Sequence, residues 1–247
     1  AKFQQAIHDP LRLQQFYNSY LGLPYKGVGH RVTENLLDSC VKEDFQFICE
    51  GGFAHAPEEH TFGPCSMGVD VGGNLDVRIS ESFEGSRRAV FMGKMKNLDE
   101  IDDLIKRYNV EICVIDSMPE TQLVQDFQDR SNIDVWLCRY GSEGSDKKMT
   151  RVGKKRTIGI DRTTALDRAF SQMKSGSNVL PENFRSILKG AYVDEMCGPV
   201  RQTTEDSKGN IKYIWSKCKD HQRHCDVYDM LAFDLMDEMV IDNVSIG

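Results

Sequence analysis

Several common features are missing from this 247-residue chain, and each absence excludes a class of protein. No apolar run approaches the roughly 20 residues of a membrane-spanning helix, so the sequence predicts no contact with a membrane. No G-x-x-x-x-G-K-[ST] motif occurs, which excludes a P-loop nucleotide-binding site from this chain. The eight cysteines include no C-x-x-C pair, which argues against a disulfide framework. Cys40 and Cys49 with His55 and His60 could suggest zinc, but their spacing fits no standard zinc site.

Positively charged residues are also fewer than negatively charged ones: the chain has 31 Lys and Arg against 38 Asp and Glu. The net charge is −7, and with 40% hydrophobic and 28% charged residues the composition is that of an ordinary globular protein. A negative total disfavours a general nucleic-acid binder, although a local cluster of cations can override it. Cys65, Cys113 and Cys138 lie inside apolar strand-like runs, where a free thiol behaves as a small hydrophobe. This usage indicates a reducing, cytoplasmic compartment.

The pattern of the chain changes at about residue 62. Residues 1–62 are rich in turn signals; they predict a short helix capped by Thr33 and a loop at 47–64. We interpret them as a lead-in or linker, and residues 63–247 as one folded domain. The polar N-terminus lacks Met, which indicates a processed chain or an excised fragment.

The order of predicted elements in the second segment indicates its fold class. The elements are strands at 65–71, 75–81 and 88–95, a helix at 97–108, a strand at 110–116, a helix from Pro119 to about Arg130 and a strand at 133–140. Short turns make the first three strands an antiparallel meander. This order predicts an α/β, ribonuclease-H-like fold: a mixed five-stranded sheet flanked by helices. A helix capped by Asp161, a helix after Pro181, a hairpin at 199–216 and a final helix from Asp220 to about Met239 are predicted to follow.

A basic segment interrupts this pattern at residues 141–160. Its six clustered cations are Lys147, Lys148, Arg151, Lys154, Lys155 and Arg156. Gly153, between two β-prone runs, predicts that a hairpin carries them. The cluster is either a solvated basic loop or a hairpin that contacts DNA phosphates, and a nuclease site nearby would favour the second interpretation.

Two predicted strands end in an acid, Asp70 and Asp116. The first and fourth strands of this fold are parallel neighbours, so both carboxylates are expected at one edge of the sheet. Carboxylates that close repel each other unless a divalent cation lies between them. The pattern therefore predicts a two-metal site for phosphodiester hydrolysis, although a single strand-end Asp is often only a turn residue. Asp76 is expected to face away from Val77 and to be exposed.

The final helix is expected to complete this site. His221 and His224 lie on its apolar stripe, whereas Asp226 and Asp229 lie off it and are expected to face solvent. Asp220 begins the helix, where its side chain could cap the helix or reach the ions. The geometry therefore favours Asp220 and His221 as ligands. The alternative for either histidine is an ordinary hydrogen-bonded residue under the helix.

Three motifs resemble a known family when they are taken together. GVDVGG (68–73), VIDSMPE (114–120) and KDHQRHCDVYDMLAFDLM (219–236) resemble the three acidic motifs of the C-terminal nuclease domain of tailed-bacteriophage large terminase subunits, which are DNA-packaging motor proteins. DPLRLQQFYNSYLGLPY (9–25) resembles the segment that leaves the family's ATPase domain. That ATPase domain is absent from this chain, which is expected to be an excised nuclease domain.

The resemblance implies which residues bind metal. Asp70 and Asp116 would be ligands, and Asp220 and His221 occupy the third motif, where family members differ over whether Asp or His binds. Asp70, Asp116 and His221 are the predicted catalytic residues. The chain departs from many relatives by having His224 and Cys225 in place of Asp-Ala, so the fourth ligand stays open between His224 and Asp226.

The resemblance also implies an activity, cofactors and partners. The activity would be metal-dependent endonuclease cleavage of concatemeric viral genome DNA during packaging into capsids, in the cytoplasm of a bacterial host. The cofactors would be two Mg²⁺ or Mn²⁺ ions, and an imidazole ligand favours Mn²⁺. The partners would be double-stranded DNA, the small terminase subunit and the portal protein. Alternatives are a resolvase-type or integrase-type nuclease of the same fold, and a non-catalytic docking domain of the packaging motor.

Overall fold

The structure is a computed structural model that describes residues 31–42, 45–141, 148–152, 155–205, 209 and 211–244. Its elements in chain order are α1 (Glu34–Ser39), β1 (Ile48–Glu50), β2 (Phe53–His55), β3 (Cys65–Val71), β4 (Leu75–Phe83), β5 (Ser86–Met95), α2 (Leu98–Arg107), β6 (Val110–Asp116), α3 (Thr121–Arg130), β7 (Asp134–Tyr140), β8 (Lys148–Val152), β9 (Lys155–Ile160), α4 (Arg162–Ser175), β10 (Asn178–Val179), a 3-10 segment (Phe184–Gly190), α5 (Ala191–Cys197), β11 (Arg201–Glu205), β12 (Ile211–Trp215) and α6 (His221–Val244). No helix in these residues is long and apolar enough to cross a membrane.

A mixed sheet forms the centre of the molecule, with the strand order β1-β2-β5-β4-β3-β6-β7-β9-β8 and β10 beside β5. In its middle, β3, β4 and β5 form the predicted antiparallel meander. β6 pairs parallel with β3, and β7 pairs parallel with β6. These five strands confirm the predicted ribonuclease-H-like fold. The sheet is larger than predicted because β1 and β2 extend one edge and the hairpin β8–β9 extends the other.

Part of the predicted lead-in belongs to this sheet. β2 pairs antiparallel with β5, with His55 opposite Phe91, so the predicted loop at 47–64 is wrong for β1 and β2. These strands are only three residues long and show too few alternations to be read from a sequence. The predicted cap of α1 is confirmed, since the hydroxyl of Thr33 accepts from the amide of Leu36 at 3.2 Å. The segment at 9–25 lies outside the described residues.

The buried cysteines contribute to the packing of the central sheet. All eight lie in the described residues and all are free. Cys65, Cys113 and Cys138 are buried in β3, β6 and β7, and burial raises the pKa of each thiol. They are therefore unreactive packing residues at neutral pH.

Helix α6 lies directly on strand β3. Successive side chains of a strand alternate between faces, so Ser66, Gly68 and Asp70 share the face that α6 covers; the hydroxyl of Ser66 donates to Asp229 at 2.6 Å. A Cβ atom at Gly68 would lie 2.2 Å from the backbone nitrogen of Asp229 and 2.4 Å from the carbonyl oxygen of Cys225. The glycine of the first acidic motif therefore allows the helix backbone to touch the strand.

The prediction that Asp226 and Asp229 face solvent is wrong, because both are 0% exposed. Arg87 donates to both carboxylates, to Asp226 at 2.7 Å. Arg78 donates to Asp229 at 3.1 Å and lies 3.0 Å from Asp226. Both acids lie against the sheet, where Asp229 also accepts from Ser66 of β3 and from Ser80 of β4. The apolar stripe is therefore not the only side of α6 that packs on the sheet, and the buried acids are tolerated because arginines of β4 and β5 pair with them.

Candidate active site

The two strand-end acids emerge side by side. The register of β3 and β6 pairs Val69 with Ile115, so Asp70 and Asp116 are the next residues on two neighbouring parallel strands. Side chains that are adjacent in a parallel register point to the same face of the sheet. The structure thus brings both carboxylates to one edge, under the start of α6.

The environment of Asp116 is unfavourable for a bare negative charge. The pKa of this carboxyl is raised to about 6, chiefly by burial; the negative charge of Asp70 also raises it, while hydrogen bonds from the Met118 amide and the Tyr228 hydroxyl oppose the shift. The Met118 amide donates to Oδ1 at 3.0 Å. The raised pKa of Asp116 beside a second carboxylate indicates a site that gains from a proton or from a cation.

His221 joins this pair from the first turn of α6. Its Nδ1 atom lies 2.8 Å from Oδ2 of Asp70, and this hydrogen bond raises the pKa of the imidazole. The glycine turn after β3 lies against the ring, since a Cβ atom at Gly72 would be 3.6 Å from Cε1 of His221. With Nδ1 engaged by the carboxylate, Nε2 is the ring nitrogen that could coordinate an ion.

Asp220, a predicted ligand, and His224, a candidate for the fourth ligand, belong to a second cluster. The backbone carbonyl of Asp220 accepts from the amide of His224 at 3.1 Å, which begins the helix. Oδ2 of Asp220 accepts from Nη2 of Arg162 at 2.7 Å and lies 3.3 Å from Nε2 of His224. Nδ1 of His224 lies 2.6 Å from the hydroxyl of Tyr140. Asp220 therefore precedes the helix through its backbone, while its side chain forms an ion pair with Arg162.

The buried carboxylate of Asp76 is the feature that the sequence analysis missed. Asp76 is 3% exposed and lies opposite Asp70 in the register of β3 and β4, so the expectation that it is exposed is wrong. It accepts from Gln222 at 2.6 Å and lies 2.8 Å from Nζ of Lys94. Burial raises its pKa, although Lys94 opposes this shift. Its position across a tight turn from Asp70 was the available signal, since paired residues share a face.

The donor atoms at this edge suit a hard divalent cation. Asp70 and Asp116 offer carboxylate oxygens, which Mg²⁺ and Mn²⁺ prefer, and His221 adds a nitrogen that Mn²⁺ accepts more readily. Within the described residues, no group of three or more His, Cys, Asp or Glu side chains has the spacing of a metal site. The site therefore positions donors in pairs without closing them around an ion. Asp226, a candidate for the fourth ligand, lies instead in the buried network with Arg87.

The basic segment forms the predicted hairpin, in which β8 and β9 are antiparallel and Arg151 pairs with Arg156. Arg156 lies 2.8 Å from Asp134, and Arg151 lies 3.5 Å from the same carboxylate. Lys155 is exposed. Lys147 and Lys154 lie outside the described residues, and Lys148 is described only as the first residue of β8.

The register of the sheet locates the hairpin relative to the acids. Cys138 pairs with Asp116 on one side and with Ile158 on the other, so Ile158 is level with Asp116. Lys155 precedes Ile158 by three residues, which is about 10 Å along the strand. Lys155 therefore lies toward the opposite edge of the sheet, whereas Lys148 begins β8 near the edge that carries the acids.

A mixed sheet in this strand order, with helices packed on it, is the ribonuclease-H-like fold. Among solved structures, the chain is similar to the large terminase nuclease from thermophilic phage G20c with bound magnesium. The TM-score is 0.53 at 12% identity, over 83% of this chain and 98% of that one. A second structure of the G20c nuclease gives a TM-score of 0.50 at 10% identity, over 78% and 94% of the two chains.

The chain thus has the fold of large terminase nuclease domains, as the three motifs predicted. Sequence identities this low support a shared fold but do not establish a shared activity. No model of a known protein family and no curated protein matches the sequence.

Proposed function

We propose that this chain is a metal-dependent endonuclease domain that cuts concatemeric viral DNA during packaging. The observation that carries the proposal is the convergence of Asp70, Asp116 and His221 at one sheet edge, from three elements that are far apart in sequence. Their order along the chain is the order of the three acidic motifs. The likeness to a phage terminase nuclease supports the proposal at the level of the fold.

We assign the metal ligands to Asp70 and Asp116, with His221 as the third donor. Divalent cations in such a site activate the attacking water and stabilise the leaving oxygen. The protein holds the donors in place: the imidazole of His221 orients Asp70, and the hydroxyl of Tyr228 hydrogen-bonds to Asp116. The G20c nuclease has been crystallised with magnesium, and here we propose two ions, with Mn²⁺ preferred because of the imidazole.

The proposed substrate is double-stranded DNA, and the hairpin β8–β9 would contact its phosphates through Lys155 and its basic neighbours. The proposed protein partners are the small terminase subunit and the portal protein, in the cytoplasm of a bacterial host. Residues 9–25 would then lead from an ATPase domain into this domain, whereas β1 and β2 belong to its sheet. These assignments rest on the resemblance of the motifs.

The test is cleavage of a supercoiled plasmid with Mg²⁺ and with Mn²⁺ by the wild type and by Asp70→Ala, Asp116→Ala and His221→Ala. Each substitution should reduce cleavage to background, and the wild type should cut faster with Mn²⁺. Asp103→Ala, which changes an exposed acid of α2, is the matched control and should cut normally. Undiminished cleavage by Asp70→Ala would overturn the assignment.

A non-catalytic docking domain is the second candidate. One observation favours it: the described residues contain no closed cluster of metal-binding side chains. Titration of the wild type with Mn²⁺ by calorimetry distinguishes the two. Binding that is lost in Asp70→Ala supports the nuclease, whereas no binding by the wild type, together with no cleavage, supports the docking domain.

A further inference from the structure

A groove lies between helix α3 and the hairpin β8–β9. Its volume is about 420 Å³, and the residues that matter for its chemistry are Ser117, Thr121, Leu137, Arg139, Thr150 and Thr157. A volume of this size lies in the range of ligand pockets. It suits one nucleotide unit of a single strand rather than a duplex.

The groove is on the face of the sheet that α6 does not cover. Tyr140 packs against His224 and Tyr228 of α6, so it points to the α6 face. Neighbouring residues of a strand point to opposite faces, which turns Arg139 and Leu137 away from α6 and toward α3.

One end of the groove adjoins the candidate active site. Ser117, which lines it, directly follows Asp116 and is held against β7 because its amide donates to the carbonyl of Cys138 at 2.9 Å. A DNA strand that passes Asp116 at the edge of the sheet would therefore reach the mouth of the groove at the next amino acid, Ser117.

The lining matches a sugar–phosphate chain. Arg139, Thr150 and Thr157 are exposed, so a guanidinium and two hydroxyls are available to a ligand. Leu137 is 4% exposed and contributes an apolar floor. Among the described residues that line the groove there is no carboxylate to repel an anion. Arginine and hydroxyl side chains are common contacts of DNA phosphates, and sugars pack on apolar surface.

We propose that this groove binds the sugar–phosphate backbone of one DNA strand next to the scissile bond, with Arg139 as the main phosphate contact. This inference rests on the proposed nuclease function and adds a binding site to it. The proposed DNA contact surface would then include the face of β7 that points away from α6, in addition to the cations of the hairpin.

The first test measures binding of a labelled single-stranded oligonucleotide by fluorescence anisotropy, in EDTA so that no DNA is cut. Arg139→Ala should weaken binding about tenfold, as expected for loss of a charged hydrogen bond, and should reduce the salt slope by about one. Arg107→Ala removes another exposed arginine, from α2, and should bind as the wild type does.

The second test fills the groove from an exposed position. Thr157→Trp should raise the KM for cleavage of DNA and leave kcat nearly unchanged. Thr204→Trp, at an exposed threonine of strand β11, controls for the added aromatic ring. If Arg139→Ala and Thr157→Trp both behave as the wild type while the wild type cuts DNA, the groove proposal is wrong and the nuclease function stands. If the wild type neither binds nor cuts DNA, the function itself fails.

Discussion

Nδ1 of His221 lies 2.8 Å from Oδ2 of Asp70, although 151 positions separate the two residues. The contact depends on how closely α6 approaches β3, because His221 begins the helix and Asp70 is near the end of the strand. That approach is set at Gly68, where the helix backbone touches the strand. A glycine two residues before the acid is therefore part of the geometry of the site.

Gly68→Ala should destabilise the protein and disturb the site, because its Cβ would meet the backbone of α6. Overpacking of this kind costs about 1–3 kcal/mol, and more where backbone must move. Thermal unfolding should show a lower Tm and cleavage should fall. Gly73→Ala is the control in the same motif, since nothing lies within 4 Å of its Cβ. Equal Tm values for the two variants would contradict the close packing.

Asp116→Asn should raise the free energy of unfolding at pH 7 in EDTA. The folded pKa of about 6 lies above the ordinary 3.8, so the folded state prefers the protonated acid. Stability is therefore lost as the pH rises from about 4 through 6, by on the order of 1–3 kcal/mol. The neutral amide avoids this loss. Glu111→Gln, at an exposed acid of the same strand, should leave the Tm unchanged. A lower Tm for Asp116→Asn would count against a charge repulsion at the site.

Asp226→Asn should destabilise the protein at neutral pH and weaken its response to acid. Burial opposes ionisation of Asp226, but the charges of Arg87 and Arg78 outweigh it and lower the pKa. The stabilisation is thus present above about pH 4 and is lost as the pH falls through the folded pKa. Removing one partner of a buried ion pair costs about 3–5 kcal/mol. Tm measured from pH 7 to pH 3 tests both effects, and Asp103→Asn should follow the wild-type curve.

Asp220→Ala and His221→Ala should differ in what they affect. Asp220 directly precedes α6 and forms an ion pair with Arg162, so loss of its side chain should lower the Tm by several degrees and leave the affinity for Mn²⁺ nearly unchanged. His221 is partly exposed at the site, so its loss should weaken Mn²⁺ binding with little change in Tm. Calorimetry and thermal unfolding separate the two results. Loss of Mn²⁺ affinity in Asp220→Ala would make Asp220 a ligand, as the third motif suggests.

Lys155→Ala and Arg156→Ala should also differ. Lys155 is exposed on the hairpin, so its loss should weaken DNA binding and reduce the salt slope by about one. Arg156 is paired with Asp134 at 2.8 Å, so its loss should affect binding less than the loss of Lys155. The affinity of each variant for DNA, measured between 50 and 200 mM salt, tests this difference. If neither variant changes affinity or slope, the hairpin is a solvated loop.

The middle of the fold was predictable because its signals are local. Three of the central strands, β3, β6 and β7, are buried apolar runs. Helix α2 has one clear apolar stripe, and Asn97 caps its N-terminus. Those signals set the element order, and the order selects the sheet topology. β1 and β2 escaped prediction because strands of three residues take their stability from pairing with β5, which no local pattern encodes.

The sequence by itself determined that Asp70 and Asp116 end two parallel neighbours, because strand order and alternation suffice to bring them together. Only the tertiary structure decided what surrounds α6. A helical pattern separates one face from another, but it does not say what packs on each face. Asp226 is therefore buried against Arg87, and Asp220 is bound to Arg162, through contacts between residues distant in sequence. Pairing of charges in three dimensions, rather than their position on the helix, fixed the role of each acid.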